Sequence, residues 1–391
     1  MTTFTFFAEK ALIGDNLEYK ENVYLQTEDG YIINISVSPL DSENEIISFP
    51  NSLIIPSFIN MHVHVGDSFA RERGNNLTLS EIVEPPNGLK HQLLRKTDRA
   101  TIIKGIQSAL KEMLSSGTTF FVDYREGGIE GVEILLEALN NIKIKKMILG
   151  RPRDEREDIF KLMKFVQGLG LSSVNDHSTE NLNQLALFFM EGSKILSAHV
   201  SEVEKEREKS FQKYNCSDIQ RALEIFNANL LVHAIHASDE DLDLIKEKNV
   251  TVVLCPKANS YFGLPIAPID KMIDRNINLC LGTDNVMVNA PDLLREIEFF
   301  SKKIRSKFGF NLISSKNILK MVTLNAAKAI RLDHDLGSLQ ELKRADFLVI
   351  DIHNPNLHGI NEENIHDYIV NRLKSENITH TYVNGILAFK R

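Results

Sequence analysis

Cysteine is scarce in this sequence: Cys216, Cys255 and Cys280 are the only three in 391 residues. No two stand at CxxC spacing, which excludes a disulfide framework and suits a reducing compartment. Long apolar runs are missing too. Nowhere do eighteen apolar residues follow one another, so no spanning helix is expected. The N-terminal stretch MTTFTFFAEKALIG lacks the positive start and apolar run of a signal peptide. The expectation is a cytoplasmic protein with no membrane partner. Nor is there an excess of positive charge, since 45 Lys and Arg face 53 Asp and Glu, for a net charge of −8. Without a basic tract, nucleic acid is not an expected partner. The mixed run Lys205–Lys209 reads as a solvated helix face. What the chain does have is an ample globular core, with 43% hydrophobic and 25% charged residues. Its length suits a barrel with a smaller domain attached.

Both ends of the chain read as short strands. Residues 1–52 contain FTFFAEKALIG, NVYLQTED and YIINISVSP, the last after a turn at Asp29-Gly30. The segment 338–391 contains ADFLVIDI and THTYVNGILAF, with a hairpin turn at Asn384-Gly385. Paired, the two ends would form one small β-sandwich domain. The middle, 53–337, alternates strand and helix. Candidate strands fall at 53–59, 118–124, 145–150, 171–175, 194–200, 230–236, 251–255 and 278–284. Between them lie amphipathic stretches such as residues 100–117, which end at Gly117. Eight such units in about 285 residues point to an α/β fold of the (β/α)8, or TIM, barrel type. The segment 66–96, after the first barrel strand, is long and carries Pro85-Pro86 and Gly88. It lies at the active face of such a barrel and reads as a lid.

Chemistry in such barrels sits at the C-terminal strand ends. The first strand ends in His62-Val63-His64, and the period of two sends both imidazoles to one face. The fifth ends in His199, followed by Glu202. The sixth carries His233 and His236, and the eighth ends in Asp284. Four strand ends therefore offer His or Asp to one point on the axis, which reads as a site for a divalent ion. The alternative for each residue is a buried polar side chain satisfied by the backbone. For Glu202 it is an exposed carboxylate at a helix start.

The ordered set His62-Val63-His64, HVSE (199–202), VHAIH (232–236), CPKANSYFG (255–263) and LGTDN (281–285) resembles the amidohydrolase superfamily. Within it, the set is similar to the mononuclear aminohydrolases, the cytosine, guanine and adenosine-type deaminases and the triazine hydrolases. The stretch 321–351 resembles that branch as well. The resemblance implies a metal-dependent barrel in which His62, His64, His199 and Asp284 hold one divalent ion. Zinc is the first expectation, and iron or manganese suits the same ligands. It implies that Glu202 carries a proton to the ring nitrogen and leaving amine, that Asp284 takes a proton from the attacking water, and that His233 steadies the tetrahedral intermediate. His236 is the competitor to His233 and reads as a neighbour of the site. Binuclear relatives bridge two ions through a lysine ending strand four. Here that place reads SSVNDHS, with Asp176 and His177 and no lysine.

The expected reaction converts an amino-substituted heterocycle and water to the oxo product and ammonia. The rivals are a cyclic amide hydrolase similar to imidazolonepropionase and a non-catalytic scaffold. For the small-molecule substrate, the ends of strands two and three place Arg125, Arg151 and Arg153 near the barrel mouth, where a guanidinium could grip an acidic group. Pairing of the arginines with Asp154, Glu155 and Glu157 is the bland alternative. His177, His236 and Asn259 complete the candidate substrate contacts, with Asn259 read mainly as loop support. Cys255 reads as a packed small side chain. A homodimer follows from base rates alone.

Overall fold

The structure is a computed structural model that describes every residue except 1, 41–45, 154–158 and 191–193. At the N-terminus, β1 (Thr3–Ile13), β2 (Glu18–Glu28) and β3 (Tyr31–Ser36) form an antiparallel meander. The strand β4 (Ile46–Pro56) then returns parallel to β1. The barrel follows as β5 (Phe58–His64), β6 (Thr118–Arg125), β7 (Lys145–Gly150), β8 (Gly168–Leu171), β9 (Ile195–Val200), β10 (Leu230–His233), β11 (Thr251–Leu254), β12 (Leu279–Leu281) and β13 (Asp284–Asn285). The C-terminal strands β14 (Phe347–Asp351), β15 (Ile378–Val383) and β16 (Ile386–Lys390) rejoin the first sheet, whose order is β16-β15-β14-β4-β1-β2-β3.

The two termini thus share one mixed, seven-stranded sheet. Its core is aromatic. The Phe6 ring lies 5.0 Å from both Phe347 and Tyr382, although β4 separates β1 from β14. Neighbouring strands sit about 4.8 Å apart, so these rings meet only because the sheet curls over its own inner face. That curl gives the sandwich-like packing expected of the ends.

The barrel strands are parallel and consecutive from β5 to β12. Two residues after β12, β13 pairs with β5 at Asp284↔Val63 and Asn285↔His64. Together β12 and β13 act as one interrupted eighth strand and close the ring. Asn60 fastens the seam, donating to Thr283 Oγ1 at 2.7 Å and accepting from Thr283 N at 3.2 Å. The helix Arg99–Ser115 shows how the outer layer is specified. Asp98 accepts from Thr101 N at its start, Ile102, Ile106, Leu110 and Met113 bury one stripe, and Gly117 at φ +93° ends it.

Two strand expectations need correction. The stretch 53–59 does not form one barrel strand. Leu53–Pro56 completes β4 in the terminal sheet, and the barrel begins at Phe58. The fourth barrel strand is 168–171 and not 171–175, where Val174–Asp176 form a 3-10 turn. Glycines at 168 and 170 hid it. A Cβ on Gly168 would stand 2.0 Å from Ile195 O, and one on Gly170 2.7 Å from the Tyr124 ring. The strand is glycine-rich because its neighbours press close.

Candidate metal centre

Strand alternation, broken at three places, brings the site together. Along β5, Asn60 pairs with Phe121 and Val63 with Asp123. Three steps on one strand thus match two on the other, which is a bulge. It lets His62 turn inward although Met61 already packs in the barrel interior. His199 needs no such device, since Leu196, Ala198 and Val200 pack in the outer helix–strand layer. On β10, Val232 packs inward, so plain alternation would send His233 outward. Its backbone instead takes φ +73°, and Asp284 takes φ +62°. Left-handed conformations are costly for such residues and gather at functional sites.

The result is a buried cluster. The His62 ring lies 4.9 Å from His64, 4.8 Å from His199 and 5.9 Å from His233. Asp284 Oδ1 stands 3.2 Å from His62 Nε2 and 3.6 Å from His64 Nε2. Two atoms sharing a tetrahedral ion at about 2.1 Å are about 3.4 Å apart, so these spacings suit joint ligation. His62 belongs to two groups whose ligand atoms lie within 4.8 Å of one another, one with His199 and His233, the other with His64 and Asp284. Outer contacts fix the imidazoles. His199 Nδ1 donates to Leu171 O at 2.8 Å. His64 Nδ1 reaches Tyr124 O at 3.0 Å and Glu126 Oε1 at 2.7 Å. These acceptors keep the proton on Nδ1 and leave the Nε2 lone pair for the centre.

Electrostatics agree. Burial pushes His62 down to about 3 against the pull of Asp284, and burial likewise lowers His64 and His199. All three are therefore neutral near pH 7, the form in which an imidazole can bind a metal. Burial would raise Asp284, but the hydrogen bond from His62 and the surrounding imidazoles hold it well below the usual carboxylate range. Glu202 stands 3.5 Å from His233 Nε2, and His233 Nε2 stands 4.0 Å from Asp284 Oδ2. Burial raises Glu202, with His233 opposing, so this carboxyl holds a proton more readily than one in water. His236 is outside the cluster. It is half-buried, and its backbone N–H donates to Ser201 O at 3.0 Å.

A cavity of about 990 Å³ adjoins the outer partners of His64 and His199, lined among others by Arg125, Arg151, Glu126, Leu171 and His177 and by none of the clustered histidines or Asp284. Arg151 Nε donates to Gly170 O at 3.1 Å, and burial depresses its guanidinium while Glu126 and Asp176 support its charge. Arg125 also lines this cavity but is deeply packed. It is 2% exposed, 3.8 Å from Asp123, and packed so tightly under Gly66 that a Cβ there would lie 2.3 Å from the guanidinium. Arg153 stands 3.6 Å from Glu130 on the surface, while Asp154, Glu155 and Glu157 lie outside the described residues. His177 Nδ1 is 2.8 Å from Asn181 Oδ1. Asn259 lines a different, small cavity, and its backbone carbonyl accepts from Leu264 N at 2.9 Å.

Two residues beside the cluster escaped the sequence reading. Glu126 follows Arg125 in the motif DYREGG, and alternation was the signal for it. Tyr124 packs in the barrel interior, so Glu126 shares the inner side and Arg125 the outer. Lys90, 3% exposed and ion-paired with Glu126, comes from the 66–96 segment, where no spacing announces it. Cys255 is packed as expected, yet its Sγ also lies within 4.8 Å of ligand atoms of His233 and Asp284. Burial and then Asp284 raise its thiol well above the ordinary value.

Among the described residues no helix is long and apolar enough to cross a membrane. Residues 53–387 match the model of the amidohydrolase family. A putative aminohydrolase of Methanothermobacter thermautotrophicus is 32% identical over 93% of both chains. A 5-methylthioadenosine/S-adenosylhomocysteine deaminase of Saccharophagus degradans is 28% identical over 93% of this chain and 86% of its own. The fold is similar to that of a zinc-bound adenosine deaminase from Xanthomonas campestris, with TM-score 0.82 and 15% identity over 98% of this chain and 92% of the other. The strand-end histidines and aspartate therefore sit in a chain that belongs to the amidohydrolase family, hydrolases of carbon–nitrogen bonds other than peptide bonds.

Proposed function

We propose that this enzyme hydrolytically deaminates an amino-substituted heterocycle of the purine kind, with one zinc ion held by His62, His64, His199 and Asp284. The observation that carries the reading is the chain of contacts from Glu202 to His233 to Asp284, at 3.5 and 4.0 Å, beside three neutral imidazoles. The deaminase relatives and the zinc in the adenosine deaminase neighbour support the substrate class and the metal. A divalent ion held by His62, His64, His199 and Asp284 would make a water more acidic near neutral pH. Asp284 is placed to accept a proton from the attacking water. Glu202, whose carboxyl burial raises, delivers its proton to the ring nitrogen; as the C–N bond breaks, the proton held by Asp284 passes to the departing amine and that of the entering hydroxyl returns to Glu202. His233 donates a hydrogen bond to the oxygen that enters. One water is consumed and one ammonia leaves for each oxo product formed.

Arg151, at the rim of the 990 Å³ cavity, is the candidate donor to an acidic group on the substrate's far end. The three free cysteines support a cytoplasmic site of action. The test is an ammonia-release screen of the zinc-loaded protein on adenosine, 5-methylthioadenosine, S-adenosylhomocysteine, guanine and pterins. Ammonia should appear in equal amount to the oxo product, and Arg151→Ala should raise KM more than tenfold for carboxylate-bearing substrates alone. A new carboxylate without ammonia would replace deamination with cyclic amide hydrolysis.

A further inference from the structure

The segment Val65–Lys96, which follows the His62–His64 strand, is tied across the barrel mouth at three places. At its start Asp67, 1% exposed, accepts from Asn285 Nδ2 at 2.8 Å, at the end of the last barrel strand, and from Met287 N at 3.0 Å, just past it. In its middle, Ala70 and Ile82 pack with Met287 and Val288 in an apolar cluster separate from the main core. At its end the helix Leu89–Lys96 sends Lys90 inward to the carboxylate of Glu126. Glu126 in turn holds His64 Nδ1 at 2.7 Å.

The third tie differs from the other two. Asp67 and the apolar cluster fasten the segment to a loop, whereas Lys90 fastens it to the residue that aims a metal-facing imidazole. Lys90 and Glu126 are 3% and 5% exposed, and among the described residues the only ion pair found for Lys90 is this one. A carboxylate that meets both an ammonium and an imidazole N–H is fixed in rotation. One that meets only the imidazole can turn about its last bond and let the ring follow.

We propose that Lys90 is a positioning residue. Through Glu126 it orients His64, so closure of the 65–96 segment and retention of the divalent ion are one event. The coupling is reciprocal. An ion on His64 Nε2 would leave the imidazole more positive and strengthen its 2.7 Å contact with the Glu126 carboxylate, which holds Lys90 and its helix down. The inference rests on the proposed role of His64 as a ligand. Outer partners of ligating imidazoles are typically worth about 10- to 100-fold in metal affinity.

The test uses the zinc-loaded full-length protein and two readouts that do not depend on turnover. One is the rate of zinc transfer to a colour-forming chelator. The other is tryptic cleavage in the exposed turn at Arg71 and Arg73. The variants are Lys90→Met, the double variant Lys90→Met/Glu126→Gln, and Lys145→Met as a control. The double variant removes both charges of the pair, so neither partner is left buried without the other, and the amide oxygen that Glu126→Gln introduces still offers His64 an acceptor. The control removes a different partly buried ion pair, Lys145–Asp346 at 2.6 Å, between barrel and terminal sheet. Zinc loss and cleavage should both rise about tenfold or more in the double variant, with the control matching the wild type. Wild-type zinc retention in the double variant overturns the inference, as does equal zinc loss in the control, which would mean general loosening. A wild type that holds no zinc overturns the proposed metal centre itself, and this inference with it.

Discussion

Gly282 separates the two halves of the interrupted eighth strand, and it faces the first metal-facing histidine. A Cβ at this position would lie 2.5 Å from His62 Cβ and 2.8 Å from both His62 N and His62 O. Ordinary contact begins near 3.4 Å, so Gly282→Ala requires a shift of roughly 1 Å, and the opposing atoms include backbone that cannot rotate away. Overpacking of this kind costs about 1–3 kcal/mol of stability. The larger consequence is at the site, because a displacement of roughly 1 Å in a reacting geometry can cost about 100-fold in rate. His62 belongs to both ligand groups of the centre, so metal affinity falls together with kcat. The assay is metal retained after dialysis against a chelator, measured beside the thermal midpoint of the metal-free protein. Gly263→Ala is the comparison. That glycine has φ +70° and nothing within 4 Å of its added Cβ, so it brings backbone strain of about 1–2 kcal/mol without crowding. Gly282→Ala should lose metal while Gly263→Ala keeps it at a similar loss of stability. Equal metal retention in both variants would refute the close approach of Gly282 to His62 as the reason for glycine there.

Two further predictions concern protons. Glu202→Gln should keep its metal and lose about 10²- to 10⁴-fold in kcat, with KM little changed; steady-state ammonia release checks this, and wild-type kcat would remove Glu202 from the proton path. Glu296, fully buried beside Lys257 N at 2.8 Å and Asn289 Nδ2 at 3.1 Å, is pushed by burial up to about 7. A carboxyl whose folded value is raised stabilises the fold fully below its unfolded value of about 4.3 and loses that contribution as pH rises from there through the folded value. The loss is on the order of 3 kcal/mol. The thermal midpoint of the wild type should therefore fall between about pH 4 and about pH 7 relative to Glu296→Gln, whatever the offset between them; parallel curves would contradict the assignment.

Much of the site was legible because barrel chemistry sits at strand ends. Reading those ends alone found His62, His64, His199, Glu202, His233 and Asp284, which the structure gathers around one point. Choosing His233 over His236 was harder, because the deciding feature is a left-handed φ of +73° that no propensity announces. Glu126 was missed for a simpler reason. Proximity to a strand end singled out Arg125 without the alternation that puts Glu126 on the side of Tyr124. The fourth strand was misread because Gly168-Leu169-Gly170-Leu171 has the composition of a loop, and only its neighbours explain the glycines. Lys90 was not legible at all. Its importance comes from a tertiary contact between a helix of the 66–96 segment and the end of β6, and nothing local encodes that meeting.

The account turns on one divalent ion gripped by four residues from three strand ends, and elemental analysis of the purified protein beside His62→Asn tests it most directly. It predicts about one zinc per chain in the wild type and near none in the variant, with ammonia release lost in step. A wild type without metal, purified so as not to strip it, or a His62→Asn protein that keeps its metal, would contradict it.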